Sequence, residues 1–333
     1  VDISDIAPGR YPKLSSAALI AGICAGFTMR GYKIGGFDAF TTSEVIKGSG
    51  LSSSAAFEVM VAHILNVLYN DGKISAPELA VISQYAENEY FGKPCGLMDQ
   101  TACAVGGFVA IDFEVPGKAL IEKLSFDPAD VGYRLFIVNT GGSHADLNED
   151  YASIPREMKA VAAKFGRDVL RGVTSAELVA RIPELREELG DRALLRALHF
   201  IAENERVASQ ADALRSGNFG AFLDGVDASG RSSFEYLQNV YTVSLPREQG
   251  LSLALAITDE YFMGRGIKRG CGGYACRVHG GGFAGTIQVF VPSEQADGYR
   301  AYMDGVFGAG ACIPLRIRGE GATELRRRDT VAD

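Results

Sequence analysis

Three short segments of this 333-residue chain combine residue types that handle phosphate, a hard cation and a proton. The first is Lys47-Gly48-Ser49-Gly50-Leu51-Ser52-Ser53-Ser54-Ala55-Ala56, set between a strand-like stretch and a long apolar-periodic one. Glycines let backbone approach an anion closely, and the free N–H groups of a helix's first turn point at it. Three serine hydroxyls add donors and a hard oxygen for a metal. An ordinary capped helix start is the plainer reading, but a cap requires one such residue, not three. The pattern GxxxxGK[ST] occurs nowhere, so this is not a P-loop.

The second segment runs from Glu87 through Lys93-Pro94-Cys95-Gly96-Leu97-Met98 to Asp99 and Gln100. It sets one carboxylate near the end of a helix and another just past a Gly/Pro-broken loop. Asp99 stands among Leu97, Met98, Ala102, Cys103 and Val105. A charge in apolar surroundings needs a partner or a function, and a helix-capping Asp is the alternative. The third segment is Arg277-Val278-His279-Gly280-Gly281-Gly282-Phe283-Ala284-Gly285. A His-Gly-Gly-Gly run also builds oxyanion holes in α/β-hydrolases, but there it precedes a GxSxG nucleophile, which this chain lacks.

These segments need elements to hold them. Apolar periodicity predicts a helix over residues 15–29 and a long one that opens after a turn at Gly48–Ser53 and ends in Tyr69-Asn70-Asp71-Gly72, and a further helix opens at Ser75-Ala76-Pro77-Glu78 and runs to about 91. Strands are expected at 34–42, 107–113 and 133–140. The second half reads as helices over 149–164, 175–189, 194–214, 219–236 and 251–261, then a glycine-rich stretch and strands at 286–291 and 312–317. Pro116-Gly117 and Pro128 punctuate a charged stretch at 114–132, the expected seam between two lobes. The class is mixed α and β.

Composition narrows the function. With 47% apolar and 22% charged residues, the chain is an ordinary globular one. Its 40 glycines are nearly double the usual share of about 7%, and turns and close backbone contacts should hold the excess. A net charge of −8 argues against a nucleic-acid footprint, and Arg326-Arg327-Arg328 reads as a solvated tail. No apolar run approaches the ~18 residues that span a membrane. The six cysteines form no CxxC pair and read as reduced structural residues of a cytoplasmic protein.

Taken together and in order, the segments resemble the GHMP kinases, and among them the galactokinase family. Gly50 to Ala55 matches the family's GLSSSA motif, and Glu87 to Gln100 its E-x(7)-CG-x-MDQ segment. Arg277 to Gly285 is similar to R-x-T-GGGFGG, with His279 for Thr and Ala284 for Gly. Asn148-Glu149-Asp150-Tyr151-Ala152 resembles the family's S-E-Y segment, and Arg196 to Val207 its R-A-x-H-x-x-x-E-x-x-R helix. The N-terminal GR-x-N-L-x-GEHTDY segment has no counterpart, and a chain shortened at its start is expected.

The resemblance implies an α+β, two-lobed fold. Residues 1–127 would form a ribosomal protein S5 domain 2-like lobe lacking its first part, and 128–333 a ferredoxin-like lobe with added helices. It implies ATP-dependent phosphorylation of the galactose C1 hydroxyl. ATP phosphates would sit on Gly48, Ser49, Gly50, Leu51, Ser52, Ser53 and Ser54, and Mg²⁺ on Ser54 and Glu87. Asp99 would be catalytic, against the C1 hydroxyl, with Gly96 and Tyr151 on the sugar and Gly280, Gly281 and Gly282 beside the phosphate. Asn88 stands where many members carry His. A sister sugar-1-kinase acting on N-acetylgalactosamine, arabinose or fucose stays open, as does a non-catalytic sugar and ATP sensor. No nucleic-acid or membrane partner is expected, and oligomeric state is not legible.

Overall fold

A computed structural model describes residues 1–43, 45, 51–115, 118–142 and 147–325. Lys47, Gly48, Ser49, Gly50, Pro116, Gly117 and the Arg326–Arg328 run lie outside the described residues. The described residues divide into two compact units, one of residues 1–43, 45, 51–115, 118–125 and 317–325, the other of 126–142 and 147–316. Residues 317–325 thus pack in the first unit, whereas the sequence reading groups them with the second lobe.

In the first unit, α1 (Ser16–Met29), α2 (Ser53–Tyr69) and α3 (Ala76–Tyr85) pack through Ile23, Phe27, Ala62, Leu65, Leu79 and Ile82. Ser15 and Ser75 cap α1 and α3 through their side chains, with Pro77 inside the start of α3. Beyond Tyr85 the helix widens into a π-helical turn, Ala86–Phe91, closed where Gly92 and Lys93 donate N–H bonds to the Glu87 carbonyl. The short α4 (Met98–Val105) follows, then the antiparallel pair β1 (Phe108–Asp112) and β2 (Leu120–Leu124). Val59, Ala80 and Ala104 join α2, α3 and α4 in one buried cluster, with Ala322 packed on it.

The expected strand at 34–42 does not form. Its backbone bonds to the end of α2 rather than to a ladder: the Asn70 side chain accepts from Lys33 N–H at 3.0 Å and donates to Lys33 O at 2.9 Å, and Tyr69 donates to Gly36 O. The helix α4 is unforeseen. Eight residues directly after a Gly/Pro-broken loop show too little periodicity to be seen.

The second unit is built on a four-stranded antiparallel sheet. It comprises β3 (Tyr133–Asn139), β4 (Ala275–Val278), β5 (Thr286–Pro292) and β6 (Cys312–Leu315), in spatial order β4-β5-β3-β6. Between β3 and β4 run α5 (Asn148–Ala163), α6 (Ser175–Leu189), α7 (Asp191–Arg215), α8 (Phe219–Ser232) and α9 (Gly250–Met263), with a π-helical turn, Ser233–Leu237, ending α8. A last helix, α10 (Ala296–Phe307), separates β5 from β6. Phe262 stacks on Tyr274 and on Tyr299 in the core that covers the sheet. A second core joins α5, α6 and α7 through Val161, Leu178, Leu185 and Ala197.

The R-A-x-H helix segment lies on α7 and is a packing device. Arg196, 2% exposed, donates to Ser153 and Glu157 of α5 at 2.8 Å each and to the Leu237 carbonyl at 3.1 Å. Burial pushes His199 down to about 4, so it is neutral, and its Nδ1 meets Ser232 Oγ at 2.9 Å.

One close approach fixes α4 from behind. Gly106, at φ +70°, ends α4, and a Cβ there would stand 2.3 Å from the Glu320 carbonyl carbon. Next to it, Gly107 N–H donates to Arg318 O at 2.8 Å. Gly106→Ala should therefore cost about 2–3 kcal/mol, measured by urea unfolding. A loss under about 0.5 kcal/mol contradicts this close packing.

Candidate active site

The first turn of α2 presents Ser52, Ser53 and Ser54. Ser52 occupies the N-cap position but makes no side-chain cap, so the capped-start reading does not describe it. Ser54 instead donates its hydroxyl to Glu87 Oε1 at 3.0 Å, joining residues 33 positions apart. Glu87, on the π-helical turn after α3, is 2% exposed. Lys93 Nζ stands 3.7 Å from the same Oε1.

Two further residues complete this centre, and the sequence reading gave neither a role. Glu58 lies one turn along α2 from Ser54 and is fully buried, as is Gln100 on α4. The Gln100 amide nitrogen donates to Glu87 Oε2 at 2.7 Å and to Glu58 Oε2 at 3.1 Å, with Cys95 Sγ at 3.5 Å. Both acceptors are carboxylate oxygens, which sets the amide orientation. Burial, then the neighbouring Glu87 and Asp99 charges, push Glu58 up to about 7, against the Gln100 hydrogen bond and Lys93. Burial first, and the Glu87 carboxylate next, hold Cys95 up at about 12, as a thiol. Glu58 was legible as a charge beside Val59 on a face otherwise of Ala55, Val59 and Ala62.

Asp99 occupies the first turn of α4 and is exposed, as is the adjacent Met98. The apolar setting that the sequence suggested for it is absent, because α4 turns Gln100, Thr101 and Ala104 inward instead. The loop before it, with exposed Gly96, is fastened by Asn88: its Oδ1 accepts Cys95 N–H at 2.7 Å, and Gln84 donates to the Cys95 carbonyl at 3.1 Å.

In the second unit, Tyr151 on α5 donates its hydroxyl to Gly282 O at 2.6 Å, its ring edge-on to Phe283. Burial first, then Asp150, raise that phenol to about 12, so it keeps its proton. Asn239 grips the same loop: its Nδ2 donates to Gly281 O at 3.1 Å and its carbonyl accepts Phe283 N–H at 2.5 Å. A Cβ at Gly282, φ +85°, would stand 2.0 Å from that carbonyl, so this approach requires glycine. Asn239 too was missed by the sequence reading. His279 pairs its Nδ1 with Gln288 Oε1 at 3.1 Å.

Ser54 Oγ and Glu87 Oε1 form a pair of hard oxygens at one point, already shared with the Lys93 cation. This suits a small divalent ion that takes one or two protein oxygens and completes its shell with phosphate and water. Among the described residues no cluster of three or more His, Cys, Asp or Glu offers a full protein cage.

Glu58 has a measurable consequence of its own. In the metal-free protein the folded chain holds its proton between pH 4.5 and about 7, where the unfolded chain has released it. Stability then falls as pH rises through that window. Relative to Glu58→Gln, the wild type should lose about 3 kcal/mol of unfolding free energy across it, read by urea unfolding. A difference that does not change with pH contradicts a buried, protonated Glu58.

Residues 15–107, from the start of α1 to the end of α4, match the GHMP kinases N terminal domain. The chain is 32% identical over 318 residues to the galactokinase of Streptomyces coelicolor, covering 95% of this chain and 76% of that one. It is 34% identical over 275 residues to the galactokinase of Actinobacillus pleuropneumoniae, covering 80% of this chain and 64%, under two thirds, of that one. The crystal structure of Lactococcus lactis galactokinase complexed with galactose shares the fold, with a TM-score of 0.75 at 22% identity over 98% of this chain and 80% of that one. With the serine turn, the two carboxylates and the glycine loop in that order along the sequence, the chain belongs to the GHMP kinases and, within them, to the galactokinase family.

Proposed function

We propose that this protein transfers the γ-phosphoryl group of ATP to the C1 hydroxyl of galactose. The observation that carries the reading is the convergence of Ser54 on Glu87 at 3.0 Å, on a centre whose Gln100 is chain neighbour to Asp99. Segment 48–54, of Gly48, Ser49, Gly50, Leu51, Ser52, Ser53 and Ser54, receives the phosphates through backbone N–H and hydroxyl donors. Ser54 and Glu87 would hold Mg²⁺, which when bound neutralises phosphate charge.

The remaining steps belong to side chains. Asp99, solvent-facing on the first turn of α4, accepts the C1 hydroxyl proton as that oxygen bonds to the γ-phosphorus and the bond to ADP breaks. Gly96 and Tyr151 are assigned to the sugar, and Gly280, Gly281 and Gly282 to the phosphate. The domain assignment is a phosphate-handling lobe of residues 1–127 and a second lobe that begins at 128, with residues 317–325 returning to the first. All six cysteines are free, which supports a reducing, cytoplasmic location.

Asp99→Asn in the complete protein should lower kcat by about 10²–10⁴-fold while ATP affinity stays within about twofold. Retained turnover removes Asp99 from this role. In a panel with N-acetylgalactosamine, arabinose and fucose, galactose should have the highest kcat/KM. Preference for another sugar points to the sister kinase, and binding of sugar and ATP without turnover points to the sensor.

A further inference from the structure

We propose that Glu58 is a positioning residue for Glu87 and acts through Gln100. This rests on the reading of Glu87 as a ligand of the metal–nucleotide complex. The three side chains come from α2, the π-helical turn after α3, and α4, and all are 2% exposed or less. Glu87 has one oxygen toward Ser54 and Lys93 and the other toward Gln100, so its carboxylate plane is set by what holds Gln100.

Gln100 has two N–H groups, and its carboxylate partners among the described residues are Glu87 and Glu58. Without an acceptor at position 58, the amide loses the partner that fixes its rotation. Apart from Cys95 Sγ, a weak acceptor at 3.5 Å, nothing else among the described residues anchors the amide: Gln100 Oε1 is buried with no hydrogen-bond partner, and so is Glu58 Oε1. A buried carboxyl group held at 0% exposure with one oxygen unpartnered is costly to keep as mere packing, at an interior position where Leu or Met would fill the space. Orientation of a metal-binding carboxylate by an outer hydrogen-bonding layer is a known use of such groups.

The hydrogen-bond acceptor, rather than the charge, is the feature this role needs. Glu58→Gln retains an acceptor for Gln100 and adds a donor for its orphaned Oε1, so it should behave as wild type. Glu58→Met retains the length and removes the acceptor.

The test measures binding of Mn²⁺ with a non-hydrolysable ATP analogue by electron paramagnetic resonance, alongside the Mg²⁺ dependence of steady-state turnover. Glu58→Met should weaken Mn²⁺ binding about tenfold and raise the Mg²⁺ requirement similarly, with galactose KM unchanged, and Glu58→Gln should restore both to within about twofold. Unchanged Mn²⁺ binding in Glu58→Met, or a loss in Glu58→Gln equal to that in Glu58→Met, overturns the proposal. If Glu58→Met does not fold, Gln100→Leu must show the same tenfold weakening, and normal Mn²⁺ binding there overturns it equally. Glu87→Gln separates the two levels: if it binds Mn²⁺ normally, the metal assignment itself fails, whereas loss there with normal binding in Glu58→Met rejects only the role of Glu58.

Discussion

Two carboxyl groups buried against a single carboxamide are the constraint around which the first unit is arranged. Glu58 and Glu87 cannot both lie in the interior without a shared donor, and Gln100 is that donor. The requirement fixes three helical segments at once, because the three residues come from three of them. It explains the π-helical turn, whose extra width carries Glu87 inward while its carbonyl closes the chain at Gly92 and Lys93. It also explains why α4 is backed so tightly at Gly106, since any slip of α4 would carry Gln100 away from both carboxylates.

Asp99 profits from the same arrangement. Adjacent positions on a helix point about 100° apart, so anchoring Gln100 in the interior turns Asp99 outward. A buried residue thus aims an exposed one, and the polar pair at the start of α4 has one structural and one solvent-facing member. The second unit uses a parallel device on backbone. Tyr151 and Asn239 hold carbonyls of the glycine loop from α5 and from the segment after α8, while Arg196 binds α5 and the turn preceding Asn239 into one body.

Much of this was visible in the residues alone. The strongly periodic helices were readable because each buries one face over ten or more residues, and the serine turn and the Glu87–Asp99 spacing are local features of the chain. What couples them was not. Glu58 stands out only as a charge on an apolar face of α2, its partner being 42 residues away, and Gln100 gains meaning only once three helices meet. The strand expected at 34–42 failed for a related reason: alternation shows that a segment can be extended, not whether a ladder partner exists, and here Asn70 and Tyr69 take that place. Asp99 looked buried because its sequence neighbours are apolar, yet Met98 beside it is 57% exposed.

The measurement that bears most directly on the account is ³¹P NMR of the complete protein incubated with ATP, Mg²⁺ and galactose. The roles proposed for Ser54, Glu87 and Asp99 predict one new sugar phosphate, esterified at C1, formed one for one with ADP. Release of inorganic phosphate without a sugar phosphate, or esterification at a different hydroxyl, would contradict it.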